Sequence, residues 1–369
     1  MNRLFFGNFD FEEQLRGETR RPARLERLVT ELAACWLGVC DAEDRIWCPG
    51  KVDPGFLEVH SSWAPGVLES VFVSEASQIP AGMELVPWGW SPAAVEFGRR
   101  HGLRVNSPAV DLVTFANSRE FSVPREVSPD DETEFAKLFR TLGQVLAQIE
   151  RMPQSCQWVI KANWSHAARE RIIGRGPMIA DSEIAWIKQR LARDGVVAWE
   201  WWLDRRGELG VQWEISPPGA VQLVAVTELL VDARGQYAGT LVPGPSAASG
   251  LSREQDQAVM ATRPVVEELA ALGYFGPVGI DCMRYYDPIS RCERLRPLQD
   301  INVRWTMGRL AAEWSRKLGG PPILWWHGAR ESAPEWTHPL EWLATAPALI
   351  DGQPVRYSTS LALLTESSH

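Results

Sequence analysis

The sequence predicts an α/β protein of two or three domains, and three observations lead to this expectation. The chain has 369 residues, and a domain holds roughly 150. Hydrophobic residues make up 45% and charged residues 23%, which is the usage of a globular protein with a large core. Stretches with helical periodicity alternate with short apolar strand candidates in the first part of the chain, and further strand candidates follow.

Charge, hydropathy and cysteine spacing argue against several classes of function. The balance of 38 basic and 47 acidic residues gives a net charge of −9 without a basic stripe, so we expect no nucleic-acid partner. The chain shows neither a signal peptide nor an apolar run of about 18 residues, so we expect a cytoplasmic protein without a membrane partner. The six cysteines form no CxxC pair, which disfavours zinc. Association into a homodimer stays open.

The pattern of the first 125 residues predicts a three-layer α/β unit. Residues 4–6 are expected to form an opening strand and residues 22–37 an amphipathic helix. Residues 45–90 are rich in Pro, Gly and Trp, so we expect mainly irregular structure with short strands. A Ser-Pro pair then begins a predicted helix at residues 91–101.

Beyond a boundary at residues 122–131, the chain alternates helices and strands. Seven apolar residues recur at spacings of three and four and predict a helix: Phe135, Leu138, Phe139, Leu142, Val145, Leu146 and Ile149. Further helices are expected at 182–193, 252–272 and 305–318, and strands at 157–161, 196–203, 210–215, 221–231, 277–285 and 295–303. The DARG of residues 232–235 predicts a turn.

The strongest candidate site lies on the last two predicted strands. The chain lacks the P-loop, GxGxxG, HExxH and GxSxG patterns. In an extended strand Asp300, Asn302 and Arg304 point to one face, and a hairpin with the preceding strand would bring Asp281 beside them. Two carboxylates and an amide oxygen suit Mg²⁺, and the arginine could grip a phosphoryl group or a carboxylate. A surface hairpin with outward polar side chains is the alternative.

This pattern resembles the ATP-grasp family, whose closing motif is an Asp on one strand and E-[IV]-N-x-R on the next. The resemblance covers about residues 120–320. It implies that Asp281, Asp300 and Asn302 hold Mg²⁺, with Mn²⁺ as an alternative, and that Arg304 is catalytic. Asp300 departs from the family pattern, because it is one methylene shorter than the family's Glu.

Lid and hinge elements follow in the order that the family shows. Lys161 ends the strand WVIK, as does the family's lid lysine, which contacts the α- and β-phosphates of ATP. Residues 197–202 stand where the family has a hinge strand whose backbone binds the adenine edge. The resemblance implies nucleotide contacts near four residues of this region: Glu200, Trp201, Trp202 and Glu208. Taken singly, the lysine could be solvated and the hinge side chains could fill the core.

Arginines replace two of the family's phosphate-binding features. The family's lid loop is rich in glycine, whereas this chain has Arg169 and Arg171, whose guanidinium groups can neutralise phosphate oxygens. Arg119 stands where the family often has a lysine that contacts phosphate. The alternatives are that the lid arginines only solvate a mobile loop and that residues 116–122 form a capped turn.

The resemblance implies both a fold and an activity. The expected fold has an N-terminal pre-ATP-grasp α/β domain (1–125), an ATP-grasp domain (126–328) with a lid at about 155–203 and a C-terminal antiparallel sheet, and a C-terminal extension (329–369). The implied activity is an ADP-forming ligation, dependent on ATP and Mg²⁺, of small-molecule carboxylate and amine substrates through an acyl phosphate. The chain looks most like a bacterial branch that includes peptide ligases. A small-molecule kinase and a nucleotide-binding protein without ligase activity are the alternatives.

Tryptophan is unusually abundant, with 18 residues against 12 Phe and 5 Tyr. About half of these indoles are predicted to lie near the cleft that would bind ATP and substrate. Residues 6–9 and 88–90 are candidate acceptor loops, and two of the indoles flank the second of them. This distribution suggests a large amphipathic substrate pocket. Core packing is the alternative explanation.

Overall fold

The first part of the chain forms a four-stranded parallel sheet. The computed structural model describes residues 2–17, 21–63, 71–126, 134–165, 170–231, 236–244, 251–328 and 341–364. The strands lie in the order β3-β2-β1-β4. Their bounds are β1 (Arg3–Phe6), β2 (Arg45–Trp47), β3 (Phe72–Val73) and β4 (Glu84–Pro87). The helices of this part are α1 (Phe11–Leu15), α2 (Ala23–Glu31), α3 (Pro54–Trp63), α4 (Pro92–Arg100), α5 (Val110–Ala116) and α6 (Arg119–Ser122).

Both faces of this sheet are covered, which confirms the predicted three-layer unit. Phe6 stacks on Phe97 of α4 with ring centroids 4.2 Å apart, whereas Phe5 points the other way and packs against Trp36 at 4.9 Å. Alternate strand residues are therefore buried on opposite faces, as a parallel sheet requires. The helix expected at residues 22–37 is α-helical only to Glu31 and continues as a 3₁₀ helix over residues 32–38.

A second sheet of four antiparallel strands follows, in the order β5-β8-β6-β7. Its strands are β5 (Ala136–Phe139), β6 (Gln157–Ala162), β7 (Arg171–Arg175) and β8 (Val197–Trp201), and its helices are α7 (Leu142–Glu150) and α8 (Asp181–Asp194). We call this unit the lid sheet.

The single helix predicted from Phe135 to Ile149 is wrong in its first half. Residues 136–139 form a strand that pairs with β8, and the helix begins only after Thr141, which shares a capping box with Gln144. A spacing of three and four residues does not distinguish a helix from a half-buried strand over these four residues, and pairing with β8 supplies their backbone hydrogen bonds.

The largest sheet has eight antiparallel strands in the order β13-β12-β9-β10-β11-β14-β18-β15. Their bounds are β9 (Asp204–Ser216), β10 (Ala220–Val231), β11 (Tyr237–Val242), β12 (Gly276–Asp287), β13 (Cys292–Asn302), β14 (Ile323–His327), β15 (Trp342–Ala344) and β18 (Thr359–Leu363). Two short strands, β16 (Leu349–Ile350) and β17 (Gln353–Pro354), form a separate pair. Two strands from the predicted C-terminal extension thus complete the large sheet. The predicted division of the chain at residues 125 and 328 stays a prediction.

The remaining helices agree with the sequence prediction. Helices α9 (Arg253–Ala271) and α10 (Met307–Lys317) pack on the large sheet and match the ranges expected for them. The turn predicted at 232–235 lies outside the described residues. None of the helices in the described ranges combines the length and the apolar character needed to cross a lipid bilayer.

The last residue of β14 is a half-buried histidine whose protonation opposes folding. His327 lies between the rings of Trp325 and Tyr237, with centroids 4.4 and 4.9 Å away, and burial lowers the pKa of its imidazole to about 3. In the unfolded chain the pKa is near 6.5, so the unfolded state gains a proton first as the pH falls.

We therefore expect stability contributed by neutral His327 to be lost between about pH 6.5 and pH 3. At pH 5 the loss is about 2 kcal/mol relative to pH 7.5. Urea unfolding of the wild type and of His327→Gln at both pH values measures it: the stability difference between the two proteins should shrink by that amount. Parallel pH profiles of the two proteins would contradict the assignment.

Candidate active site

A cleft of about 680 Å³ lies where the lid sheet, the large sheet and the N-terminal unit meet. The residues that line it include most of those singled out in the sequence: Arg119, Lys161, Arg171, Glu200, Trp201, Trp202, Glu208, Asp281, Asp300, Asn302 and Arg304. Arg169 lies outside the described residues. The two candidate acceptor loops meet at a hydrogen bond of 2.9 Å from Asn8 Nδ2 to the Gly89 carbonyl, and Phe9 and Trp88 from these loops also line the cleft.

The hairpin of β12 and β13 brings the acidic residues together. In its register Asp281 stands opposite Asp300, and Gly279 stands opposite Asn302. The Asn302 Nδ2 atom donates to Asp281 Oδ2 at 3.3 Å. Between these polar residues Ile301 is 4% exposed, on the buried side of the strand. The alternation expected from the sequence is therefore present, and the polar face lines the cleft instead of an outer surface.

The electrostatics of this hairpin favour a bound cation. Burial, and after it the nearby carboxylates of Asp300 and Glu208, raise the pKa of Asp281 to about 8. A divalent cation would relieve this repulsion. Within the described residues no three His, Cys, Asp or Glu side chains form a metal cluster, and the amide of Asn302 is the oxygen donor that lies beside Asp281. Two carboxylates and an amide oxygen fit Mg²⁺.

Arg119 extends from helix α6 into the cleft and contacts the acidic hairpin. Its Nη2 atom lies 3.2 Å from Asp300 Oδ2 and 3.1 Å from Ser165 Oγ, and its Nη1 atom donates to the Gln299 carbonyl at 3.3 Å. Arg119 is only 5% exposed. A buried guanidinium group thus stands between the predicted metal ligands and the end of the strand that carries Lys161.

A chain of buried charges joins the lid sheet to the large sheet. Lys161 Nζ on β6 lies 2.8 Å from Glu200 Oε2 on β8, and Arg296 Nη1 on β13 lies 2.9 Å from the same oxygen. Arg296 also forms a two-pronged pair with Glu126, at 2.6 and 2.7 Å. Burial opposes ionisation of Glu200, but the attraction of the surrounding cations outweighs it and lowers its pKa. The Glu200 carboxylate is therefore committed to two cations.

The hinge side chains form an aromatic and polar part of the cleft wall. The guanidinium of Arg171 lies over the ring of Trp202, 5.3 Å from its centroid. Glu208 Oε1 accepts from Arg205 Nη1 at 3.2 Å and from Gln299 Nε2 at 3.3 Å.

Several tryptophans of the lid sheet and the large sheet do not support the idea of a tryptophan-rich pocket. Trp158, Trp199 and Trp213 are fully buried in the core. Among the described residues, the indoles that line the cleft are Trp88, Trp201 and Trp202. Core packing therefore accounts for much of the tryptophan that the sequence places near the cleft.

Arg304 is held by the N-terminal unit. Its Nε and Nη2 atoms lie 2.8 and 2.6 Å from Glu12 Oε1, and its Nη1 atom donates to the Trp305 carbonyl at 2.8 Å. The guanidinium lies 5.4 Å from the ring centroid of Trp88. The predicted catalytic arginine is therefore oriented by contacts on three sides.

The charged residues of the site that were not found from the sequence include Glu12, Glu126 and Arg296. Arg296 precedes Asp300 by four residues, so the same alternation that identified the acidic face could have included it. The two glutamates come from segments remote in sequence, and no local pattern marks them.

The buried pair of Arg296 offers a test of the charge chain. Removing this guanidinium takes away the ion pairs that Arg296 forms with the buried carboxylates of Glu126 and Glu200. Arg296→Met should therefore lower the free energy of unfolding by about 3–5 kcal/mol. Arg206→Met is the control, because its pair with Asp204 is solvent-exposed and should contribute less than about 1 kcal/mol. Urea unfolding measures both variants. Equally small losses of unfolding free energy in both variants would show that the charges around Arg296 do not form a buried network.

Comparisons with known proteins identify the fold. No protein-family model matches the chain, and no curated protein matches its sequence. Among solved structures, biotin carboxylase from Campylobacter jejuni has a TM-score of 0.54 and 13% identity, and the match covers 99% of this chain and 87% of that one. N5-carboxyaminoimidazole synthetase from Staphylococcus aureus, complexed with ADP, has a TM-score of 0.51 and 8% identity over 99% and 93%.

A third similar structure is pyruvate carboxylase from Rhizobium etli, with a TM-score of 0.51 and 14% identity over 76% of this chain and 28% of that one. Identities this low establish the fold and leave the activity open. The parallel N-terminal sheet, the lid sheet and the large antiparallel sheet match the architecture that the sequence resemblance implied. The chain has the ATP-grasp fold.

Proposed function

We propose that this protein is an ATP-dependent carboxylate–amine ligase that works in the cleft between its lid sheet and its large sheet. The observation that carries the proposal is the convergence of Lys161, Arg119 and Arg304 with the facing carboxylates of Asp281 and Asp300 in one cleft. Cations for phosphate oxygens and oxygen ligands for a metal are the groups that phosphoryl transfer requires. The ADP complex of a protein with the same fold adds support.

In this proposal ATP lies with its ring against the hinge and its phosphates toward the acidic hairpin. Trp201 and Trp202 flank the adenine, and Glu208 accepts hydrogen bonds from the ribose hydroxyls. Lys161 and Arg119 each face a carboxylate across 2.8 and 3.2 Å, so they are positioned to exchange part of that contact for a phosphate oxygen. Arg171, at the start of β7, offsets phosphate charge from the lid, and we assign the same role to Arg169.

Asp281, Asp300 and Asn302 would hold Mg²⁺ in this site, with Mn²⁺ as a substitute. The bound ion neutralises phosphate charge during phosphoryl transfer. The Asn302 amide would rotate to present its oxygen, since its nitrogen now donates to Asp281.

The residues of this chain then have separate roles in the reaction. The γ-phosphoryl group passes from ATP to a substrate carboxylate, which gives ADP and an acyl phosphate; attack by an amine then forms the amide and releases phosphate. Arg304, fixed by Glu12, stabilises the oxyanion or the phosphate that develops at this carbon. Closure of the lid excludes water, which would otherwise hydrolyse the acyl phosphate.

The role of the acidic hairpin predicts the effect of one substitution. Asp281→Asn removes one negative ligand while the side chain keeps its size, so ADP release in the presence of ATP, Mg²⁺, pooled carboxylic acids and amino acids should fall at least about a hundredfold. Asp287→Asn, at the turn end of the same strand, is the control and should keep full turnover.

The products of this assay separate the proposal from its alternatives. Mass spectrometry should find a new amide whose formation depends on the amine. A phosphorylated product without an amide would identify a kinase, and nucleotide binding without any turnover would identify a binding protein. Full activity of Asp281→Asn would contradict the metal assignment.

A further inference from the structure

The cleft extends well beyond the groups assigned to nucleotide and metal. In the order of the large sheet, β14 lies five strands from β13, and neighbouring strands are about 4.8 Å apart, so the two are separated by roughly 24 Å. His327 and Gly328, at the end of β14, line the same cleft as Asp300 on β13. We call the part of the cleft near β10, β11 and β14 the far end.

The far end is lined by the polar side chains of Gln236, Tyr237 and Ser358 together with several apolar side chains. The N-terminal unit, the large sheet and the start of helix α10 each contribute apolar side chains: Phe9, Leu28, Leu32, Leu229, Val231 and Met307. Transfer of apolar surface from water to such walls is favourable, so a ligand that fills this space gains affinity from an apolar group.

Few charges reach this part of the cleft. Arg356, beside the segment that closes the far end, lines the cleft and is exposed, and Glu12 and Arg304, which also line the cleft, form an ion pair with each other. The imidazole of His327 is neutral near pH 7. A substrate with several charges would therefore lose hydration here without gaining matching partners.

A segment near the C-terminus closes the far end and is fixed on two sides. Glu31 of helix α2, which is 2% exposed, accepts backbone hydrogen bonds from Arg356 at 2.9 Å and from Tyr357 at 3.1 Å. Ser358 and Gly328 exchange two hydrogen bonds of 2.9 Å. The end wall is thus held in place without a ligand, so the space that it bounds is preformed.

We infer that the far end selects a carboxylate or amine substrate that carries a large apolar group, an aromatic ring or a branched aliphatic chain. The inference rests on the proposed function, because it assigns the substrate class of the same cleft. The apolar group lies against Leu28, Leu32 and Met307, and the reacting carboxylate or amine points toward Arg304.

Calorimetric titration of the full chain tests this preference without requiring turnover. The probes are L-phenylalanine, L-leucine and 3-phenylpropionate, against L-alanine, L-glutamate and acetate, each with and without ADP and Mg²⁺. We expect the Kd values of the apolar probes to be at least about tenfold lower than those of the small or charged ones.

A filled cavity provides the matched variant. Leu28→Trp should raise the Kd of L-phenylalanine at least about tenfold, because the indole occupies space in the far end. Leu25→Trp is the control: Leu25 is half-buried on the same helix but does not line the cleft. Val231→Phe takes the place of Leu28→Trp if that variant shows a lowered Tm.

Equal affinities across the probes, tighter binding of glutamate or acetate, or no binding of any probe would overturn the inference. Loss of phenylalanine binding in Leu25→Trp to the same degree as in Leu28→Trp would also overturn it. The proposed function fails separately. If the apolar probes bind but ADP with Mg²⁺ does not, the substrate preference of the far end is supported and the proposed ligase activity is contradicted.

Discussion

The pairing register of β12 with β13 is the constraint on which the candidate site depends. Because side chains alternate along a strand, a shift of one residue would turn Asp300 and Asn302 into the core and expose Ile301 and Val303 to the cleft. Ile301 and Val303 are 4% and 1% exposed, so their burial stabilises the register that places Asp281 opposite Asp300. Ordinary hydrophobic packing beneath the strand thereby fixes an acidic pair that would otherwise repel.

Charged groups connect the other parts of the molecule to this hairpin. The lid sheet reaches the large sheet through Lys161, Glu200 and Arg296, and the N-terminal unit reaches it through Glu12 and Arg304. The cost of desolvating the charges offsets much of the attraction in such pairs. Their main contribution is therefore to orient the charged side chains and not to stabilise the fold. The cleft consequently keeps cations that are already turned toward the place where phosphate and carboxylate oxygens would bind.

The sequence was most informative where a short local pattern determines the contact. Alternation along one strand was enough to predict which side of β13 carries the polar groups, and Ser91 followed by Pro was enough to begin α4. Contacts between distant segments could not be predicted in this way, as with Glu12 beside Arg304. The strand at residues 136–139 was missed because its pairing with β8 outweighs a spacing that also fits a helix. The far end depends equally on packing between remote parts of the chain.

The central claim is that this cleft binds a nucleotide together with a divalent cation. Calorimetric titration of ADP into the purified protein, once with Mg²⁺ and once with EDTA, tests it most directly. The account predicts saturable binding at one site in Mg²⁺ and at least about tenfold weaker binding in EDTA, because without the cation nothing neutralises the phosphate charge that faces the acidic hairpin of Asp281 and Asp300. Absence of binding, or an affinity that does not depend on Mg²⁺, would contradict it.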